Sequence, residues 1–234
     1  MKKKKIKNPL IRRIPKELIG DWKKYLVVFL FLVLTIGFVS GMYVANESMI
    51  TSANEGVTKY KQEDGHFELK KQADATLLSA IETGEKADFK ATKTTLYENF
   101  FRNEEEDYNN DGKKDGTIRV FAKTKDINLA CMLQGSFPQK ADEIAIDRMH
   151  ADNVGIKVGD TVTVSGETYK VVGLLAYVNY STLHEKTTDL MFDALKFDVA
   201  MVTQDGFDRL HKSIHYTYAW KYETEPADEA GEKT

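Results

Sequence analysis

Residues 143–178 read EIAIDRMHADNVGIKVGDTVTVSGETYKVVGLLAYV, and their spacing of apolar and turn residues lays out a strand, a short helix and a hairpin in that order. Glu143 to Ile146 is a brief apolar run with β-branched residues, as a buried strand requires. Asp147 can cap the first free N–H groups of a helix DRMHADNVG, and Gly155 supplies the left-handed residue that ends it. Two alternating runs, KVGDTVTV and ETYKVVGLLAYV, then meet at Ser165-Gly166 as a hairpin. His150 lies in the short helix with no partner evident from sequence.

Working outward, KFDVAMVT has the look of a strand, QDGFDRLH of a short helix, and SIHYTYAWKYE puts Ile214, Tyr216, Tyr218 and Trp220 on one face of a strand. Upstream, GHFELKK alternates, and ADATLLSAIETG carries Leu77, Leu78 and Ile81 on one side of a helix. A further strand is expected around 89–101. The polar run RNEEEDYNNDGKKDG then reads as an exposed loop or tip, after which TIRVFA resumes the alternation. About 170 residues of this kind suffice for one α+β domain or two small lobes.

Before this domain stands a segment of a different character. Tyr25 to Val44, YLVVFLFLVLTIGFVSGMYV, is twenty residues without a charge, and a helix of that length covers about 30 Å, the hydrocarbon thickness of a bilayer. A soluble core helix would carry a polar stripe that is missing here. Residues 1–24 hold ten Lys and Arg against Glu17 and Asp21, a balance of +8, while the other 210 residues sum to −11. The positive-inside rule therefore keeps the N-terminus in the cytoplasm and sends the long C-terminal part outside. A cleaved signal peptide is the rival reading, but its apolar region is shorter, and Tyr43 stands where a small residue is wanted. Leu18, Ile19 and Trp22 share one side of a helix after Pro15, so the basic segment can also lie on membrane lipid; fixing orientation alone is the competing role. Met49, Ala53 and Val57 recur every fourth residue in a run with no Pro, the pattern of a helical stalk and not of a flexible linker. The expected organisation is a basic cytoplasmic or interfacial segment (1–24), a transmembrane helix (25–44), a helical stalk (45–63), an extracytoplasmic domain (64–223) and a polar tail (224–234).

The strand, helix, GIKVGD turn and hairpin closing on VVG resemble the extracytoplasmic domain of FtsX/MacB-type ABC transporter permeases. The residues that carry the likeness are Glu143, Ile144, Ala145, Gly155, Gly159, Asp160, Val171, Val172 and Gly173, with Gly135 and Pro138 of LQGSFPQKADEI as the approach to the first strand. Glycine turns and a valine pair are what such a fold needs locally, so these are fold residues and not ligand contacts. The resemblance implies a permease subunit working with a cytoplasmic ABC ATPase and with a second permease copy or partner membrane subunit. The chain departs from the family in ending after its exterior domain, where three further membrane helices belong. The expectation is a piece of a longer permease, or a remnant that needs a partner. No G-x-x-x-x-G-K-[ST] occurs, so any ATP hydrolysis belongs to another chain.

The most chemically suggestive string is DYNNDGKKDG. Asp107, Asn109, Asp111 and Asp115 fall at positions 1, 3, 5 and 9 of an EF-hand-like loop, with Gly112 at the bend. Ile118 stands where a bidentate Glu belongs, and Lys113 and Lys114 subtract charge, so a Ca²⁺ site here would be weak. An Asn/Asp/Gly turn that needs only water explains the string as well. No other cofactor is expected. His184-Glu185 reads as part of a polar loop, and His211 and His215 are separated by a change from helix to strand. Cys131 has no partner for an internal disulfide and reads as a small buried residue. No nucleophile elbow, metal triad or carboxylate pair marks a hydrolase, so the chain is not read as an enzyme. The acidic exterior excludes nucleic acid and suits a cationic ligand; the aromatics from Tyr177 onward can line a groove, though packing explains them too. A single-pass sensor or interaction module, stabilised by Ca²⁺ or not, is the alternative to the permease reading.

Overall fold

The computed structural model describes residue 13 and residues 19–83, 94–180, 182–186 and 188–223. Most of the expected basic segment, the start of the expected strand at 89–101 and the polar tail lie outside the described residues. The chain divides into two compact units between Glu55 and Gly56.

The first unit is dominated by helix α1 (Trp22–Lys59), 38 residues of which none is buried. Its apolar side chains face outward all round, Leu34 and Phe38 being about 70% exposed, which is how a helix solvated by lipid is built. The polar hydroxyl of Thr35 donates to the Phe31 carbonyl at 2.8 Å, satisfied within the helix itself. Among the described residues α1 is the one helix long and apolar enough to cross a membrane. At 1.5 Å per residue it spans about 57 Å, well beyond a hydrocarbon core of about 30 Å.

The second unit is a mixed α/β domain. Strands β1 (Gly65–Leu69), β10 (Tyr216–Tyr222) and β2 (Thr94–Glu98) form an antiparallel sheet in the order β1-β10-β2. Helix α2 (Ala75–Thr83) lies between β1 and β2 in sequence. Tyr216 and Tyr218 share a face, both edge-on to Phe100 at 5.2 and 5.4 Å, and Tyr218 is fully buried and stacked on Phe67 at 5.6 Å; Ile214, expected on the same strand, precedes it.

The larger sheet contains β3 (Phe101–Asp107), β4 (Gly116–Ala122), β5 (Cys131–Gly135), β6 (Glu143–Asp147), β7 (Thr161–Val164), β8 (Glu167–Ala176) and β9 (Phe197–Val202) in the order β5-β8-β6-β9-β4-β3-β7. Because β7 pairs with β8 as well as β3, six of these strands close into a ring, and β5 lies along the outer half of β8. The interior is filled by Ile118, Val120, Ile144, Ile146, Val162 and Val171, each wholly buried, and by their neighbours. Each contributes about 1.5–3 kcal/mol by leaving water. The opposite face of β4, β6 and β9 holds Phe121, Ala145, Val199 and Met201, covered by Tyr177, Leu183 and Ala194 from the segment that follows β8. Burial on both sides explains why β9 reads FDVAMV with no polar alternation.

Helix α3 (Arg148–Val154) forms as the sequence predicts: the Asp147 carboxylate accepts from the Met149 N–H at 2.7 Å, and Gly155, at φ 83°, ends the helix. Helix α4 (Gln204–Asp208) is capped by the Thr203 hydroxyl. The β7–β8 hairpin turns at Ser165-Gly166. Cys131 is half-buried, and its Sγ accepts a hydrogen bond from the Tyr60 hydroxyl at 2.8 Å.

One expectation needs correction. RNEEEDYNNDGKKDG is not all loop: through Asp107 it is strand β3, hydrogen-bonded to β4 along its length, and only the tip beyond is irregular. The polarity of the run hid its alternation, and pairing with β4 overrides weak β-propensity. Glu104 and Glu106 consequently point inward and are 1% and 0% exposed.

Candidate functional site

The tip between β3 and β4 brings Asp107, Asn109, Asp111 and Asp115 together. Asp107 accepts from the N–H groups of Asp111 and Gly112 at 3.1 and 2.8 Å. Asn109 Oδ1 accepts from Asp111 N–H at 2.9 Å, and Asp111 Oδ1 from Lys113 N–H at 2.9 Å. Asp115 accepts from the Tyr108 N–H at 3.2 Å and from the Asn109 side chain at 3.3 Å. Side-chain oxygens thus shape the backbone of the tip, as Asx turns do.

Behind this tip lies a buried group that sequence reasoning did not assemble. Glu106 on β3, His150 on α3 and Asp198 on β9 are each 0% exposed. One donor atom from each lies within 4.8 Å of the other two, and among the described residues these three are the cluster close enough to share a cation. His150 Nε2 and Glu106 Oε2 are 3.4 Å apart, an ion-pair contact without hydrogen-bond geometry. His150 Nδ1 donates to the Ala194 carbonyl at 2.7 Å, and since a carbonyl can only accept, Nδ1 carries a hydrogen. Asp198 Oδ1 accepts from Asp147 N–H at 3.2 Å and Val199 N–H at 2.7 Å. Burial works against a charged His150, but the negative charges of Asp198 and Glu106 outweigh it and raise its pKa to about 9. Burial pushes the Asp198 carboxyl well above the usual carboxylate range, with the His150 charge opposing. Burial also raises Asp147, against the hydrogen bonds of the α3 N-terminus.

The sequence carried a faint signal for this group. Asp198 interrupts an apolar strand buried on both faces, where a carboxylate requires a partner. Glu106 sits in a run of three glutamates and nothing local distinguishes it.

A cleft of about 840 Å³ opens between the small sheet and the outer face of the ring, a volume within the usual range for ligand sites. Glu63, Glu68 and Glu185 line it together with Arg119. His66 Nδ1 contacts Glu63 and His215 Nδ1 contacts Glu68, each at 2.8 Å. The hydrogen bond that the protonated His66 ring donates to Glu63 raises the pKa of His66, with burial opposing. Arg119 stands at the floor, its guanidinium 4.4 Å from the Phe101 ring centre. It donates to Asn103 Oδ1, to the Tyr180 hydroxyl and to the Glu185 carbonyl at 3.0, 3.0 and 2.9 Å. His184 and Glu185 therefore belong to a cleft wall. His215 lies at the cleft, while His211 is exposed after α4.

No protein-family model matches the chain, and no curated protein matches it. Two similar solved structures are exterior domains of transporters. One is the extracellular domain of the ABC-type transporter YknZ from Gram-positive bacteria, at 12% identity over 71% of this chain and 88% of that one, with a TM-score of 0.36. The other is the periplasmic region of MacB from Actinobacillus actinomycetemcomitans, at 9% identity over 65% of this chain and 68% of that one, with a TM-score of 0.37. They are what this fold is similar to, and carry no functional argument.

Proposed function

We propose that the chain is part of an ABC transporter permease subunit, in which an extracytoplasmic domain engages substrate or partner and passes movement through a membrane helix to a separate cytoplasmic ATPase. Three features support this reading: a helix that outlasts the bilayer, ten basic residues ahead of its apolar run, and the β6–α3–β7–β8 unit whose residues resemble the permease domain. The observation that carries it is the way the residues just after α1 are tied into the domain. The carbonyls of Tyr60 and Lys61 accept from Leu129 and Asn128 N–H at 2.8 and 3.0 Å. Asp64 N–H donates to the Trp220 carbonyl at 3.0 Å, and the Asp64 carboxylate accepts from Tyr222 N–H at 2.8 Å. A flexible tether would need none of these bonds; a part that transmits force does.

The acidic side chains of the cleft suit a cationic ligand. The test is a mild-detergent pull-down of the chain from its native host, with bound proteins identified and ATPase activity assayed. Recovery of a nucleotide-binding subunit is the expected result. A chain that is stable alone and brings down no ATPase would favour a single-pass sensor or interaction module.

A further inference from the structure

Glu104 and Glu106 stand two residues apart on the inward face of β3, both buried, and are treated differently by their surroundings. Glu104 is fully partnered: one oxygen accepts from Lys212 N–H at 2.9 Å and the other from the Ser165 hydroxyl. Neither oxygen of Glu106 has a hydrogen bond. The same holds for His150 Nε2 and Asp198 Oδ2, so four buried polar atoms lack a hydrogen bond, and one ligand atom from each of the three residues lies within 4.8 Å of the other two. An orphaned buried polar atom is unfavourable by about 1–3 kcal/mol, and more when charged, so four together point to a missing common partner.

We propose that Glu106, His150 and Asp198 bind one divalent first-row metal ion, of the Zn²⁺ or Mn²⁺ class, as a structural clamp joining β3, β9 and α3. The four orphan atoms are the four that can ligate: Glu106 through both oxygens, His150 through Nε2, Asp198 through Oδ2. The remaining polar atoms of the group are held the way metal ligands are held from outside. Ala194 fixes the His150 ring by taking the Nδ1 hydrogen, so an ion that displaces the Nε2 proton meets a neutral imidazole presenting its Nε2 lone pair. Two backbone N–H groups hold the other oxygen of Asp198. Mixed nitrogen and carboxylate donors suit Zn²⁺ and Mn²⁺. Bonds of about 2.0–2.2 Å would place neighbouring ligand atoms about 3.0–3.5 Å apart. The separations here, up to 4.8 Å, close to that by small side-chain rotations.

Charge supports the same occupant. An ion that displaces the remaining protons leaves two carboxylates and a neutral His150 around it, and one divalent cation cancels those two negative charges in a dry interior. Asp147, the nearest further carboxylate, is already engaged by the α3 N-terminus. With no position open to a substrate, the clamp is structural.

The test uses the full chain in mild detergent, purified with a tag that contains no histidine, stripped with a chelator and returned to chelator-free buffer. Zn²⁺ and, separately, Mn²⁺ are titrated by calorimetry and by thermal unfolding, with metal content measured after desalting. One ion per chain is expected, with a rise in Tm; at free ion about 100-fold over Kd the folded-to-unfolded ratio should rise about 100-fold. Glu106→Gln and Asp198→Asn, close in shape to the originals, should each abolish the retained ion and the rise in Tm. X-ray absorption at the Zn edge keeps the proposal falsifiable should the variants not fold: it should show a nitrogen and oxygen shell with a single imidazole. No retained ion with an unmoved Tm for both metals, undiminished binding by folded variants, or a shell with two imidazoles would overturn the assignment.

Discussion

The glycines on which the permease resemblance rests should prove unequal when replaced by alanine, and the structure says by how much. Gly135 and Gly173, 38 positions apart in sequence, are register partners across the β5–β8 ladder. Gly135 has φ 79°, and a Cβ on it would lie 2.2 Å from the Val172 carbonyl oxygen and 2.9 Å from Gly173 Cα. That oxygen already accepts from Ser136 N–H at 2.9 Å. Gly155, at φ 83°, has nothing within 4 Å of its virtual Cβ. Gly155→Ala therefore incurs only the left-handed backbone term, about 1–2 kcal/mol. Gly135→Ala incurs that and a backbone collision in a packed ladder, a further 1–3 kcal/mol or so, for about 2–5 kcal/mol in all. With a urea m-value of about 2 kcal/mol/M, the midpoint should fall by about 0.5–1 M for Gly155→Ala and about 1–2.5 M for Gly135→Ala. Urea unfolding of the full chain in detergent, followed by Trp fluorescence, measures both. Equal shifts would refute the view that close approach of β5 to β8 is what requires Gly135.

Other perturbations follow from the same geometry. Ile146→Ala, at a wholly buried position inside the ring, should lower unfolding free energy by about 2–5 kcal/mol in the same assay. His66 should titrate above 6.5 by NMR, and Glu63→Gln should return it towards that value, because the Glu63 hydrogen bond is the leading cause of the shift. By linkage its contribution to stability is fully present below pH 6.5 and is lost as pH rises through the folded-state value. Arg119→Lys cannot reproduce the three-way guanidinium contact that holds Tyr180 and Glu185. A loss of about 1.4 kcal/mol there would make trypsin cleavage after the exposed Lys186 roughly tenfold faster. Millimolar Ca²⁺ titrated into the chain tests the Asp107–Asp115 tip: weak heat lost in Asp107→Asn would place a cation there, and no heat would leave those oxygens to the backbone alone.

Local signals were legible wherever the residue itself dictates the geometry. Asp147, Gly155 and Ser165-Gly166 each determine a cap or a turn, and β6, α3, β7 and β8 could be read from them. The uncharged run from Tyr25 was equally clear, since no side chain in it requires water. What could not be read depends on contacts between distant segments. Ring closure rests on β7 meeting β3 through only two residue pairs, and nothing in TVTV announces them. The acidic run hid β3 because composition dominates a window in which alternation is weak. His150 could be placed on a helix, but its partners sit 44 residues upstream and 48 downstream, on strands brought near only by the topology. Asp198 alone offered a clue, as a carboxylate inside an apolar strand.

A permease role requires the domain to work outside the membrane. Lys71, exposed after β1, serves as a reporter when replaced by cysteine in a Cys131→Ser background, with Lys3→Cys as the N-terminal control. A membrane-impermeant maleimide applied to intact cells should label Lys71→Cys and reach Lys3→Cys only after permeabilisation. The opposite pattern would put the domain in the cytoplasm and contradict the permease reading at its root.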